Sequence, residues 1–200
     1  MAKVVQFHFN SPPEKLGPQR VEKKKSKDVL KPGQLNLFSG ARIVKLNQLS
    51  PFEEALLFDE QGDVVSARKS YLDAIDAQDS AADAYCNLGI IESKEGNYPK
   101  AIDCFTKSLK ANPRHNEAHY NLANLYAEVG NYNLAKIHYE IAIELEPSFP
   151  NSYFNLGLTL AMLNEYAGAI DSLNNFKTLS PDEEHQQTND LIFKMSGMLQ

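Results

Sequence analysis

From residue 48 onward the chain repeats itself every 34 residues without a gap. Gly62-Asp63, Gly96-Asn97, Gly130-Asn131 and Asn164-Glu165 fall in register, as do Ala67, Ala101, Ala135 and Ala169. Tyr71, Phe105, Tyr139 and Leu173 align next, and Leu88, Leu122 and Leu156 with them. Pro113, Pro147 and Pro181 close three of the units, and Asp79 holds that place in the first. A fixed period of this length constrains the fold more than any local pattern. Each unit is one supersecondary element that can bury its apolar face only against its neighbours.

Within a unit the apolar residues recur at helical spacing in two stretches. In the third they are His119, Leu122, Ala123 and Tyr126, then Ala135, Tyr139, Ala142 and Ile143. Gly130 suits the left-handed residue that ends a first helix, and Asn164 is the next-best residue for that place. Gly89, Ala123 and Gly157 are small where Ala101, Ala135 and Ala169 face them, which predicts close helix pairs. The prolines stop the second helix of each unit.

Tyr85…Leu88-Gly89…Gly96-Asn97-Tyr98…Ala101…Phe105…Pro113 resembles the tetratricopeptide repeat, and the next two units match it as well. The resemblance implies an all-α helical-repeat solenoid with the units 48–81, 82–115, 116–149 and 150–183. The first unit departs from the pattern at Pro51, Glu54 and Asp79. Ser50-Pro51-Phe52-Glu53 still reads as a helix start, with a cap, a proline at the first helical position and a capping-box Glu. Residues 184–200 read as a capping helix that covers the last repeat, with Leu191, Ile192, Met195, Met198 and Leu199 as its apolar stripe. The polar face lacks the basic residues of a membrane-surface helix.

The first 47 residues belong to a different class. They carry ten basic and three acidic residues, a charge of +7, while the remaining 153 carry ten basic and 23 acidic, a charge of −13. The overall net charge of −6 averages two opposite parts. Ser11–Gly33 is proline- and lysine-rich with few apolar residues and is expected to be largely disordered. Val4–Phe9, Leu35–Phe38 and Arg42–Leu46 have strand character. A solvated linker is the plain reading of the basic arm. The same charge could lie across the acidic array and fill its groove in cis, or touch nucleic acid weakly.

The chain shows no G-x-S-x-G, no phosphate-binding loop and no dinucleotide fingerprint. His115 and His119 lie at packing or capping positions rather than in a metal-ligand pattern, and Cys86 and Cys104 fit neither a zinc nor a disulfide framework. Neither a cofactor, a metal nor an enzymatic activity is expected. There is no run long and apolar enough for a transmembrane helix, and the opening residues do not read as a secretory signal. The expected setting is cytoplasmic.

What remains is recognition. The resemblance implies that the first helices of successive units line a concave groove. Asn87, Asn121 and Asn155 share one repeat position there, preceded by Cys86, Tyr120 and Phe154, and Ile90, Asn124 and Leu158 follow three positions later. An amide both donates and accepts, so it can pair with a peptide backbone whatever side chains the peptide carries. Three such amides would make a ladder for an extended chain, with Tyr120 and Phe154 as apolar pockets; the plain alternative is hydrated asparagine. Asparagine ladders of this kind occur in proteins of the resembled family. Asp83, Glu117 and Glu128 against Lys94 disfavour a carboxylate-binding clamp and favour a neutral or basic peptide.

The expected function is therefore a non-catalytic scaffold or adaptor that binds an extended peptide or helix of a partner protein. A second expectation rests on Gln34-Leu35-Asn36-Leu37-Phe38, which resembles the pentapeptide by which bacterial replication and repair proteins dock on the sliding clamp. Here the resemblance implies hydrogen bonds from Gln34 and pocket filling by Leu35, Leu37 and Phe38. With the basic arm, it would make the chain an accessory factor in a DNA-linked process. The plain reading of the same residues is one strand of a hairpin.

Overall fold

The structure, a computed structural model, describes residues 17–21, 49–181 and 185–199. Among these are nine helices and no strand. They are α1 (Pro51–Glu60), α2 (Val64–Asp76), α3 (Ala81–Lys94), α4 (Tyr98–Ala111) and α5 (Asn116–Glu128). Then come α6 (Tyr132–Leu145), α7 (Pro150–Met162), α8 (Tyr166–Leu179) and α9 (His185–Ser196). The strand character expected of Val4–Phe9, Leu35–Phe38 and Arg42–Leu46 falls outside the described residues, as do Gln34–Phe38 and the lysine run at 23–27.

Each odd helix packs against the even helix that follows it, and α2, α4 and α6 pack against the first helix of the next pair. Contacts of α3 with α5 and of α5 with α7 set the odd helices side by side. The result is a stack in which one row of helices forms the inner face and the other backs it, an all-α tetratricopeptide-type solenoid.

Local chemistry explains the boundaries. Ser50 caps α1, accepting from Glu53 N–H while Glu53 accepts from Ser50 N–H, the reciprocal pair expected from sequence. Phe52 N–H, a second free donor of that first turn, is taken by Asp79 at 2.9 Å. Asp79 thus ties α1 to the end of α2 where later units carry proline. Gly130 at φ 79° and Asn164 at φ 61° adopt the left-handed conformation between the helices of their units.

The close approaches add a large residue to the alanine-facing expectation: Gly157 does face Ala169, whose C=O a Cβ would meet at 3.3 Å. A Cβ on Gly89 would meet the Phe105 ring at 2.7 Å, and one on Gly157 would meet Leu173 at 2.8 Å. Gly89 and Gly157 therefore leave room for the large residue of the partner helix. Phe105, Tyr71, Tyr139 and Leu173 are all buried by such contacts, each stabilising by roughly 1.5–3 kcal/mol.

At the far end α9 packs on α8, burying Thr188, Leu191 and Met195. The apolar stripe is shorter than expected. α9 ends at Ser196, so Met198 and Leu199 lie past the helix and stay partly or largely exposed, while Phe193 points outward.

Candidate functional site

The asparagines of α3, α5 and α7 occupy equivalent places on the inner face and are all buried, at 1%, 3% and 1% exposure for Asn87, Asn121 and Asn155. A buried amide left unpaired costs about 1–3 kcal/mol, so the partners of these side chains define the site. For Asn87 and Asn121, those partners include main-chain groups of residues 17–21.

Asn87 Oδ1 accepts from Val21 N–H at 3.1 Å, and Asn87 Nδ2 donates to Val21 C=O at 3.2 Å. Asn121 repeats the arrangement one unit on, accepting from Gln19 N–H at 2.9 Å and donating to Gln19 C=O at 2.8 Å. Pairing of alternate residues is what an extended chain offers, because its successive groups point to opposite sides. Two residues of extended chain advance roughly 6.5–7 Å. Packed helix axes lie about 8–10 Å apart, a spacing of the same order.

The segment runs against the order of the repeats. Gly17 lies at α5, where its C=O accepts from Tyr120 Oη–H at 3.1 Å, and Val21 lies at α3. Val21 is buried and packs with Cys86, Ile90, Phe105 and Leu122. Arg20 reaches the end of α1 and forms an ion pair with Asp59 at 3.0 Å.

A second set of bonds orients the amides. Tyr71 Oη–H donates to Asp59 Oδ2 at 3.3 Å and accepts from Asn87 Nδ2 at 3.2 Å. Burial pushes the Tyr71 phenol well above its ordinary value, with Asp59 adding to the effect, so it stays a donor. Further along, Asn155 Nδ2 donates to Tyr120 Oη at 3.1 Å and to Asn124 Oδ1 at 2.8 Å, and Tyr139 Oη–H also donates to Asn124. Burial raises Tyr120 to about 12. In the middle unit Phe105 has no hydroxyl to offer, and Asn121 Nδ2 lies 3.6 Å from Cys86 Sγ instead.

The other expected residues fall as follows. Phe154 is buried against Phe176, ring centroids 5.0 Å apart, and belongs to the core between α7 and α8. Tyr120 packs edge-on against Phe149 and Tyr139 and keeps its hydroxyl toward the segment. The sequence does not single out Asp59; it marks Tyr71 only as an aligned repeat position, and offers the basic arm as a cis occupant of the groove without naming residues 17–21. One signal for Tyr71 existed: Tyr71 and Tyr139 precede Asn87 and Asn155 by the same interval, and Phe105 breaks that series at Asn121.

His115 and His119 serve structure. His115 is the N-cap of α5, where Nδ1 accepts from Ala118 N–H at 3.2 Å and Nε2 meets Asp83 at 2.9 Å. Burial lowers its proton affinity, but bonds and charge from Asp83 and Glu117 outweigh that and raise it to about 9. Protonating Nδ1 exchanges the cap for a bond to Glu117 Oε2 at 3.2 Å. His119 Nε2 lies 3.1 Å from Pro113 C=O, and its Nδ1 lies 2.9 Å from His138 Nδ1. Both cysteines are free and buried, and burial raises both thiols. Among the described residues no cluster of three or more metal-ligating side chains occurs, and no helix is long and apolar enough to cross a membrane.

A tetratricopeptide repeat family model matches residues 82–115 and 117–149, and a second tetratricopeptide repeat model matches 138–171. No curated protein matches the sequence. Among solved structures the chain is similar in fold to MamA, with a TM-score of 0.64 and 20% identity over 74% of this chain and 81% of that one. It is similar to the first repeat domain of Spaghetti (RPAP3) bound to an HSP90 peptide, with a TM-score of 0.55 and 24% identity over 59% of this chain and 92% of that one. The TPR2B domain of yeast Sti1 in an Hsp70 complex gives a TM-score of 0.53 and 21% identity over 58% and 97%. With the 34-residue period, the paired helices and these matches, the chain carries tetratricopeptide repeats, matched by the family models within residues 82–171.

Proposed function

We propose that the array is a non-catalytic scaffold whose inner face binds an extended peptide segment through its main chain. The observation that carries this reading is the two-point pairing of Asn87 with Val21 and of Asn121 with Gln19, one repeat apart and alternate in the bound segment. Such pairing needs only an exposed N–H and C=O, so it suits any extended chain without proline at the paired positions. The Spaghetti and Sti1 structures, which hold an HSP90 peptide and an Hsp70 partner, are consistent with this use of the fold. The Arg20–Asp59 ion pair supports a neutral or basic ligand. The free, buried cysteines suit a reducing compartment such as the cytoplasm.

Amide hydrogen exchange on the full chain tests the reading. The N–H groups of Gln19 and Val21 should exchange slowly, and the double variant Asn87→Ala, Asn121→Ala should release both while the helix amides stay protected. Exchange of Gln19 and Val21 at unfolded-chain rates in the native protein would overturn it.

A further inference from the structure

The groove reads more than a main chain. Between the two amide pairs, Arg20 is held by Asp59, whose side chain is 7% exposed and is itself fixed by Tyr71. The next residue, Val21, is 7% exposed in a pocket of Cys86, Ile90, Phe105 and Leu122. The Val21 side chain joins this apolar cluster, so the place favours a small apolar side chain such as valine over a charged one. One buried carboxylate beside one small apolar pocket at consecutive residues is a specificity element, not a feature of the repeat framework.

The fit of this chain's own segment is imperfect. Gln19 Oε1 is buried without a hydrogen-bond partner among the described residues, in a cleft shared with Asp83 and Glu117. Beside Gly17 and Pro18 a cavity of about 230 Å³ remains open, lined by Ile90, Lys94, Tyr98, Leu125 and Glu128 among others. An occupant that leaves a polar atom unpaired and a cavity unfilled holds the groove mainly because it is tethered to it.

Resting on the scaffold reading above, we infer that the groove's partner is an extended segment of another protein carrying an arginine followed by a small apolar residue. Residues 17–21 are the cis competitor that this segment displaces. The partner lies in the same direction as the cis segment, its arginine on Asp59 and its next side chain in the Val21 pocket. A larger residue at the position of Pro18 would use the open cavity. Affinity for such a segment is reduced by the fraction of molecules whose groove is already filled in cis.

A labelled synthetic peptide with the sequence of residues 15–23 is the probe, read by fluorescence anisotropy on the full chain. Val21→Asp puts a charge in the apolar pocket and releases the cis segment, so this variant should bind the peptide about tenfold or more tighter than the native chain. Equal binding by the two would overturn cis competition. On the Val21→Asp background, changing the peptide's arginine to glutamine should weaken binding several-fold. Adding Asp59→Asn, which keeps an oxygen for Tyr71 but removes the charge, should make the two peptides bind alike. If the glutamine peptide binds as well as its parent while Asp59 is intact, the arginine specificity is wrong. Asn87→Ala with Asn121→Ala in the open variant separates the two levels: abolished binding of every peptide upholds main-chain pairing whatever the arginine result, and unchanged binding removes the scaffold reading itself. Light scattering on the native chain completes the test. A dimer that becomes a monomer on Val21→Asp would assign the groove to a second copy and overturn the proposal.

Discussion

Asn87 and Asn155 stand at the same position of their repeats, are equally buried, and follow a tyrosine by the same interval, yet their donors do different work. Asn87 turns its amide across the groove to Val21 and is backed by Tyr71. Asn155 gives its Nδ2 to Tyr120 and Asn124 and reaches Gly17 through the Tyr120 hydroxyl. The repeat sets where an amide stands; its neighbours decide which groups its Nδ2 serves. Position in a repeat is therefore evidence of geometry and not, by itself, of role.

The comparison can be broken at several depths. Leu122→Ala has the largest expected effect, because it opens a cavity in the apolar cluster that also holds Val21. It should cost roughly 2–5 kcal/mol, read by denaturant unfolding, and should weaken the Val21 contacts more than the Tyr120–Gly17 bond. Asn87→Ala should cost about 1–3 kcal/mol of local stability and speed exchange of Val21 N–H, whereas Asn155→Ala should leave that amide protected. Equal loss of Val21 protection in both variants would erase the distinction. Tyr71→Phe and Tyr139→Phe each remove one buried hydroxyl and should each cost about 1 kcal/mol, but only Tyr71→Phe should loosen Val21 and Arg20.

A separate effect, away from the groove, is a pH slope. Burial, then the facing His119, lowers His138 to about 4, and burial lowers His119 below its usual 6.5. The His119–His138 contact holds only one proton between the two nitrogens. The unfolded chain therefore takes up protons near pH 6.5, before the folded chain does. The stability from this pair is full above about pH 6.5 and is lost as pH falls toward 4. His138→Gln should flatten that part of a melting-temperature profile and leave exchange at Gln19 and Val21 unchanged.

The repeat made the helices legible, because each unit states its pattern again: α3 to α8 follow from apolar spacing, and their turns from Gly96, Gly130 and Asn164. Facing residues were less legible. Gly89 makes room for Phe105 rather than for an alanine, since side-chain direction along a helix, and not register alone, decides what meets. The site was legible on one side only. The three asparagines announce themselves by recurring, but residues 17–21 have no period and pair across sequence separations of 66 and 102 residues. A main-chain partner leaves no side-chain signature, and Phe154 had the composition of a pocket but the packing of a core residue.

Because the asparagine amides grip only N–H and C=O, they do not distinguish one residue of an extended chain from the residue two places along. A segment displaced by two would present fresh groups to both amides and keep the same face toward the array, whereas a displacement by one would turn every side chain over. The groove is thus a rack with a pitch of two residues. Val21 in its pocket and Arg20 on Asp59 are the pawl that stops it at one tooth. A chain with a two-residue repeat of suitable side chains would find many equivalent stops and gain binding from their number alone.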